Sequence, residues 1–268
     1  MTVRTEISSE TVLPAAYRVP PSIFTRDTAP LPSRSTVDGA VVLAMRAPSV
    51  RHERPWRWHL ASGALHLLIN RPLHGIAALD HEVLLSCGAA LGHLRVALAA
   101  FGWATTVHRV PSERSGQVAR LEIRPSTPCD EDIAAAAALN RHQDPAPPGR
   151  TISHRQVSTL RERADAAGAE LIPAAPPSQP VDGHHRPTGE IPAIPLPRIP
   201  DYDQPPGPPR WFRLLTATGG HRASLRAGEI LSTVTVAASR LGLVCTPLSL
   251  TPAAGSTDGI GPLLVQLR

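Results

Sequence analysis

The sequence predicts an α+β fold, and three features support this class. Two stretches in which apolar residues alternate, Trp56 to Leu60 and Ala64 to Ile69, flank Ala61-Ser62-Gly63 and predict a hairpin. Asp80, a good N-cap residue, precedes a long apolar stretch of helical periodicity that extends to Phe101. Two further strands are predicted, at Trp103 to Val110 and at Val118 to Arg124.

The chain before the hairpin is predicted to be an arm followed by a helix. Residues 1–36 are rich in Pro, Ser and Thr and show little periodicity, which predicts a mobile arm. A helix is predicted from Val37 to Arg46. It should end at Ala47, because Pro48 disfavours the α conformation in the residue before it. Residues 37–126 form the first structural half in this prediction.

A second half is predicted over residues 127–268. It begins with a helix in which Pro128 takes the first position and which runs through Leu139. Ser153 and Gln156 have the spacing of a capping box for a helix to about Ala167. Residues 173–209 are rich in Pro, Gly and His, which excludes helix interiors and central strands and predicts an extended strap. The other elements predicted here are strands at Ala169 to Ile172, Trp211 to Thr216, Leu243 to Pro247 and Leu263 to Leu267, and a helix from Ser224 to Leu241.

The charge of the chain gives little support to nucleic-acid binding. The 27 basic residues other than histidine are all arginines, against 22 acidic residues, and they are dispersed along the sequence. With 3 Phe and 2 Tyr, the chain lacks the aromatic residues on which single-stranded bases stack. We therefore expect a small-molecule substrate and no nucleic-acid partner.

Cysteine usage and hydropathy favour a cytoplasmic protein. Cys87, Cys129 and Cys245 lie far apart and form neither a CxxC pair nor a cluster with zinc spacing. The most apolar window, Val83 to Trp103, is interrupted by a histidine and an arginine, so it predicts a core helix and not a membrane span. We expect neither a metal site nor membrane association.

Two segments carry a resemblance to a known family. Ala47-Pro48-Ser49-Val50-Arg51-His52-Glu53-Arg54-Pro55-Trp56 resembles the APS-x-x-N-x-Q-P-W segment of the nitroreductase family, in which a helix ends in a loop that lies against a flavin ring. From the residues alone, the Pro-Trp pair would equally well anchor the start of a strand. Ser86-Cys87-Gly88-Ala89-Ala90-Leu91 with Leu94-Arg95 resembles the S-C-G-A-A-L-x-x-L-R helix of the actinobacterial Acg-type subgroup.

Two later segments resemble the same subgroup in the same order. Leu225-Arg226-Ala227-Gly228-Glu229 with Gly242-Leu243 is similar to its W-L-R-A-G-E helix and the G-L strand that follows. Gly189-Glu190-Ile191-Pro192-Ala193 resembles its D-G-I-P-A strap. The resemblance covers about residues 37–268 and implies a nitroreductase-like fold, with two similar halves in one chain, a shortened second half, and FMN between the halves.

The resemblance also assigns six residues to the cofactor. Three are expected beside the flavin ring and three near the phosphate, where guanidinium donors suit a dianion: Pro48, Ser49, His52, Arg141, His142 and Arg150. His52 stands where the family has asparagine, and Pro145 stands where a last phosphate-binding arginine is expected. From the residues alone, Arg141 and His142 are also explained as solvated cations that the dipole of a helix C-terminus favours.

The implied activity is hydride transfer from NAD(P)H through FMN to nitroaromatic or quinone-like acceptors. Two alternatives stay open: a flavin-sequestering protein whose FMN is covered by the strap, and a degenerate protein that binds no flavin and serves in interactions. The second half lacks helices that relatives have before the strap. The chain is therefore expected to be a monomeric pseudo-dimer, or a homodimer in which a second copy covers the exposed apolar surface.

Overall fold

The structure is a computed structural model that describes residues 30–50, 54–70, 80–112, 115–140, 152–176, 210–216, 220–248 and 263–267. These residues form helices and antiparallel strands, which confirms the α+β class. In chain order the described elements are α1 (Arg34–Ala44), β1 (Trp56–Ala61), β2 (Ala64–Ile69), α2 (His81–Ala100), β3 (Trp103–Arg109), β4 (Gln117–Pro125), α3 (Asp130–Asn140), α4 (His154–Ala166), β5 (Ala169–Ala174), β6 (Arg210–Thr216), α5 (His221–Arg240), β7 (Cys245–Leu248) and β8 (Leu263–Leu267).

The same order of elements occurs twice along the chain. The first series consists of helix α1, the β1–β2 pair, helix α2 and the β3–β4 pair. After α3, the second series follows the same order, with helix α4, the β5–β6 pair, helix α5 and the β7–β8 pair. The two four-stranded sheets also have the same strand order, β1-β2-β4-β3 and β5-β6-β8-β7. The described part of the chain therefore contains one topological unit built twice.

The predicted hairpin forms, and its turn chemistry sets its register. Ser62 and Gly63 both have positive φ values, 50° and 72°, as a two-residue type I′ turn requires. The turn pairs Ala61 with Ala64, and the pairing continues to Trp56 and Ile69. This register turns Leu65, Leu67 and Ile69 of β2 toward the core, where each is buried.

Helices α2 and α5 form the largest contact between any two elements and lie at the centre of the molecule. Both helices have 20 residues, and both are followed by a glycine in the left-handed region, Gly102 (φ 84°) and Gly242 (φ 71°). These glycines end the helices without the steric cost of a side chain at positive φ.

The two central helices touch backbone to backbone. A Cβ atom on Gly88 would overlap the carbonyl oxygen of Leu225 and lie 2.9 Å from the Cα of Gly228. A Cβ atom on Gly228 would overlap the carbonyl oxygen of Leu85 and lie 2.8 Å from the Cα of Gly88. The contact is reciprocal, because Gly88 and Gly228 are each the eighth residue of their helices. The halves are thus related by a local pseudo-two-fold axis at this crossing.

Helix α2 is long and apolar enough to cross a membrane, but 72% of that apolar window is buried inside the protein. Its buried residues surround the whole helix, including Ser86 and His93. A helix that is apolar all round and covered by protein is a core helix, which agrees with the sequence prediction.

Local hydrogen bonds explain where several helices begin. Asp80 accepts the Glu82 N–H at 2.9 Å, and Ser153 forms the predicted capping box with Gln156. Helix α1 begins at Arg34, before the predicted Val37, because Ser33 accepts the Thr36 N–H at 3.1 Å.

Three further boundaries differ from the prediction for physical reasons. Pro128 does not open α3, which begins at Asp130, where the Asp132 carboxylate accepts the Cys129 N–H at 3.0 Å. Strand β5 passes through Pro173 to Ala174, because β5 is an edge strand that tolerates a missing N–H. Helix α5 begins at His221 and not at Ser224, because the Gly220 carbonyl already accepts the Ser224 N–H at 3.0 Å.

The close crossing predicts that Gly88→Ala is destabilising. A methyl group there has to displace backbone, so we expect a loss of at least about 1 to 3 kcal/mol in the free energy of unfolding, measured by urea denaturation. Gly39→Ala is the matched control, since a Cβ atom on this helical glycine meets only the Phe101 ring at 3.4 Å. A Gly88→Ala protein as stable as the Gly39→Ala protein would contradict the backbone contact.

Candidate functional site

Of the six residues assigned to a cofactor, the structure describes Pro48 and Ser49. His52, Arg141, His142 and Arg150 lie outside the described residues, as does most of the predicted strap. The candidate site therefore consists of the loop that carries Pro48 and Ser49 and of the elements that this loop contacts.

The Ser49 hydroxyl bonds within its own loop. Its oxygen accepts the Arg54 N–H at 3.2 Å, and the hydroxyl donates to the Val50 carbonyl at 3.3 Å. The residue is only 7% exposed, and Arg54 has a positive φ of 43°. Ser49 thus joins the described residues on the two sides of this loop, Val50 and Arg54, which sequence reasoning did not foresee.

Two further contacts fix this loop against the core. The Val50 N–H donates to the hydroxyl of Ser86, a fully buried residue on α2, at 3.1 Å. The Trp56 indole N–H donates to the Met45 sulfur at 3.3 Å, and Trp56 is 3% exposed. Trp56 of the Pro-Trp pair therefore anchors the start of β1, as the alternative explanation of this pair required. The bond from Val50 to Ser86 joins the described end of the loop to α2.

A hydrogen bond joins the loop to the segment that precedes the predicted phosphate-binding residues. Arg46 lies immediately before Ala47-Pro48, and its Nη1 donates to the carbonyl of Asn140 at 2.9 Å. Asn140 is the last residue of α3 and the neighbour of Arg141 in the sequence. Arg46 and Asn140 lie 94 positions apart in the sequence. The structure thus brings the residue before Ala47-Pro48 next to the residue before Arg141.

A histidine and a serine also meet between the two central helices. His81 Nδ1 lies 2.8 Å from Ser224 Oγ, and the Ser224 hydroxyl donates to the Gly220 carbonyl at 3.2 Å. The Ser224 hydroxyl is thus shared between the His81 ring on α2 and the Gly220 carbonyl, and the contact links the starts of the two central helices.

His93 is the second polar bridge between α2 and α5. Its Nδ1 lies 2.7 Å from Ser232 Oγ, and both residues are almost fully buried. Burial lowers the pKa of His93 to about 3, against a smaller opposing effect of its bond to the Ala89 backbone. The ring is therefore neutral at physiological pH.

The two buried thiols are poor nucleophiles. Burial raises the pKa of Cys87 and of Cys245 to about 12, so both are protonated at neutral pH. Among the described residues no group of three metal-ligating side chains comes together.

Sequence reasoning missed a cluster of charged residues around Glu229 on α5. Arg109 of β3 grips this carboxylate with two bonds, Nε to Oε1 at 2.6 Å and Nη2 to Oε2 at 2.7 Å. Arg95 of α2 adds a third, Nη1 to Oε2 at 3.2 Å. The position of Glu229 on a mostly apolar helix face predicts that it needs a cationic partner. The partners could not be identified, because they lie 120 and 134 positions away.

The chain has relatives among named proteins. A Mycobacterium tuberculosis protein named as an NAD(P)H nitroreductase is 31% identical over 278 aligned positions, which cover 81% of this chain and 77% of the relative. Acg of the same organism, named likewise, is 36% identical over 117 positions, covering 41% of this chain and 35% of Acg. PigM of a Serratia strain, also named as an NAD(P)H nitroreductase, is 29% identical over 104 positions, covering 37% and 29%. No family profile matches the chain.

The buried histidine predicts a loss of stability in acid. Since the folded pKa of His93 lies below the ordinary value of 6.5, the unfolded chain binds a proton first as the pH falls. The free energy of unfolding should therefore decrease between about pH 6.5 and pH 3, by about 1 kcal/mol per pH unit from this residue. His93→Gln keeps a partner for Ser232 and removes the titration, so its unfolding free energy, from urea denaturation at each pH, should fall less steeply. Parallel curves for the two proteins would refute this assignment.

Proposed function

Because the chain belongs to the nitroreductase-like family, we propose that it is an FMN-binding oxidoreductase of nitroreductase type. In this proposal it takes hydride from NAD(P)H and passes the electrons to nitroaromatic or quinone-like acceptors. The names of its M. tuberculosis and Serratia relatives support NAD(P)H as the reductant.

The hydrogen bond from Arg46 to Asn140 is the observation that carries the proposal. It joins the loop assigned to the flavin ring to the end of the helix that precedes the residues assigned to the phosphate. A cofactor with a ring at one end and a phosphate at the other needs both kinds of group in one place. The loop belongs to the first repeat, whereas α3 is the helix that connects this repeat to the second one. In this proposal the FMN therefore lies between the halves.

The donors at this junction fit FMN. Arg46 is exposed and uses only its Nη1 for Asn140 among the described bonds, so the rest of its guanidinium fork suits a phosphate. The described residues that flank the middle of this loop are held in place, because Ser86 accepts the Val50 N–H and Ser49 accepts the Arg54 N–H. In this proposal the backbone groups of Ser49 and Val50 face the polar edge of the ring.

Each assigned residue has a separate part in the proposal. Pro48 and Ser49 shape the ring-side loop, and His52 supplies a donor where the family has asparagine. Arg141, His142 and Arg150 bind the phosphate together with Arg46. When bound, FMN supplies the hydride chemistry itself, so the protein has to bind, orient and shield the cofactor.

The repeated topology supports a pseudo-dimer within one chain. The two units meet through α2 and α5 in a reciprocal contact, as two subunits of a symmetric dimer do. We propose that the shared surface of the halves takes the place of a subunit interface.

The visible spectrum of the purified protein tests the proposal. We expect flavin absorbance bands, FMN as the species released on denaturation, and bleaching of the bands by NAD(P)H without oxygen. Bands that NAD(P)H leaves unbleached would favour a flavin-sequestering protein. A colourless protein that also takes up no added FMN would refute flavin binding.

The phosphate assignment predicts that Arg141→Ala weakens FMN binding. Loss of one charge-assisted contact should cost on the order of 1.5 to 3 kcal/mol of binding free energy, measured by fluorescence quenching of free FMN. Arg155→Ala is the control, because Arg155 is an exposed arginine near the start of α4. If both variants bind FMN equally well, Arg141 has no phosphate contact.

A further inference from the structure

A cavity of about 370 Å³ lies beside the crossing of α2 and α5, next to the charged cluster around Glu229. Its charged lining residues are three arginines and two acids, namely Arg95, Arg109, Arg226, Asp132 and Glu229. Apolar side chains, including Val96 and Ile230, form much of the remaining wall. We propose that this cavity is a binding site for a small organic anion, specifically a single-ring carboxylate.

The charges around the cavity leave an excess of one cation. Glu229 is buried, with a side chain 10% exposed, and Arg109 neutralises it through a two-bond fork. Arg95 contacts the same carboxylate, and Arg226 is exposed on the next turn of α5 toward its N-terminus. Asp132, which binds the N–H and thiol of Cys129, is the only other acid among the described lining residues. An anion therefore completes the charge balance.

Guanidinium donors remain to hold such an anion. Among the described bonds, Arg109 uses Nε and Nη2, and Arg95 uses Nε and Nη1. Nη1 of Arg109, Nη2 of Arg95 and the fork of Arg226 are thus available to a carboxylate. A carboxylate matches the planar fork of arginine, and donors in a partly desolvated cavity bind it more strongly than donors in water.

The place of the cavity in the repeat explains why it exists. The connection from α1 to β1 has 11 residues, 45–55, whereas the equivalent connection from α4 to β5 has two, 167–168. Ala167, the C-cap of α4, lines the cavity and corresponds to Met45, the C-cap of α1. Arg226 and Ser86 are the sixth residues of α5 and α2, so they also correspond, and Ser86 accepts the Val50 N–H of the longer connection. The cavity is the space that the shorter connection leaves open.

The equivalent position in the other helix shows that the crossing itself does not require Glu229. Residue 89 of α2 corresponds to residue 229 of α5, and it is a fully buried alanine. An apolar residue therefore suffices for packing at this position of the crossing. Among the described residues, Glu229 and the arginines that bind it lie on the side where the connection is short, so we assign these charges to the cavity.

The size of the cavity limits the ligand. Small-molecule sites have volumes of about 300 to 1,000 Å³, and this one is near the lower limit. A single ring fits this volume and packs against Val96 and Ile230, while a dinucleotide is too large. The cavity lies on the opposite side of the pseudo-two-fold axis from the Ser49 loop, so the proposal does not depend on flavin binding.

Fluorine NMR of a simple probe tests the proposal on the full chain. We expect 4-fluorobenzoate to show saturable line broadening at millimolar concentrations or below, and its neutral analogue 4-fluorobenzamide to show none. Arg226→Gln should weaken 4-fluorobenzoate binding roughly tenfold, since one charge-assisted contact is lost at an exposed position. Arg155→Gln, a change at an exposed arginine at the other end of α4, should leave binding unaltered.

A second variant changes binding in the opposite direction. Glu229→Gln removes the buried negative charge that competes for the arginines, so 4-fluorobenzoate should bind to this variant more tightly than to the wild-type protein.

Three results would overturn the proposal: wild-type protein that does not bind 4-fluorobenzoate, an Arg226→Gln protein that binds it as tightly as the wild type, or inorganic phosphate that binds more tightly than 4-fluorobenzoate. Competition between FMN and the probe would likewise overturn it, because the cavity would then be part of the flavin site.

Discussion

The contact of Gly88 with Gly228 is the constraint on which the rest of the structure depends. Without side chains at these two positions, α2 and α5 approach until their backbones touch. So close an approach permits little sliding or rotation, because neighbouring carbonyls and Cα atoms already define the surface. The relative position of the two topological units is thereby set. The bonds of His81 with Ser224 and of His93 with Ser232 then span a gap of fixed width.

The part of the fold that local sequence determines could be predicted. The hairpin, the Asp80 cap and the Ser153–Gln156 capping box are short-range features, and each is present as expected. The start of α3 was wrong because two local signals competed, and the Asp132 cap to Cys129 prevailed over Pro128. The repeated topology was expected only through the family resemblance. Nothing in the periodicity of the chain shows that residues 140 positions apart are equivalent.

Long-range contacts explain why the candidate site was only partly predictable. The motif containing Pro48 and Ser49 predicts a loop after α1, and the structure has one there, but the direction of the Ser49 hydroxyl depends on the positive φ of Arg54. The link between Arg46 and Asn140 and the grip of Arg109 on Glu229 join residues about a hundred positions apart. A sequence pattern indicates which charged residues need an oppositely charged partner, because burial of an unpaired charge is costly. The pattern does not identify the residue that provides the opposite charge.

The differences between the repeats are more informative about function than their likeness. A pair of identical units would carry two equivalent loops, one on each side of the pseudo-two-fold axis. Here the 11-residue connection exists only between α1 and β1, and the two-residue connection replaces it between α4 and β5. The loop that we propose for FMN is thus present in one of the two repeats, so the proposal assigns one flavin to each chain. On the other side, Glu229 and Arg226 of the second repeat occupy the positions where the first repeat has Ala89 and Ser86, and the first repeat itself supplies Arg95 and Arg109. The two sides of the α2–α5 crossing therefore differ in structure, with a long connection on one side and a charged cavity on the other.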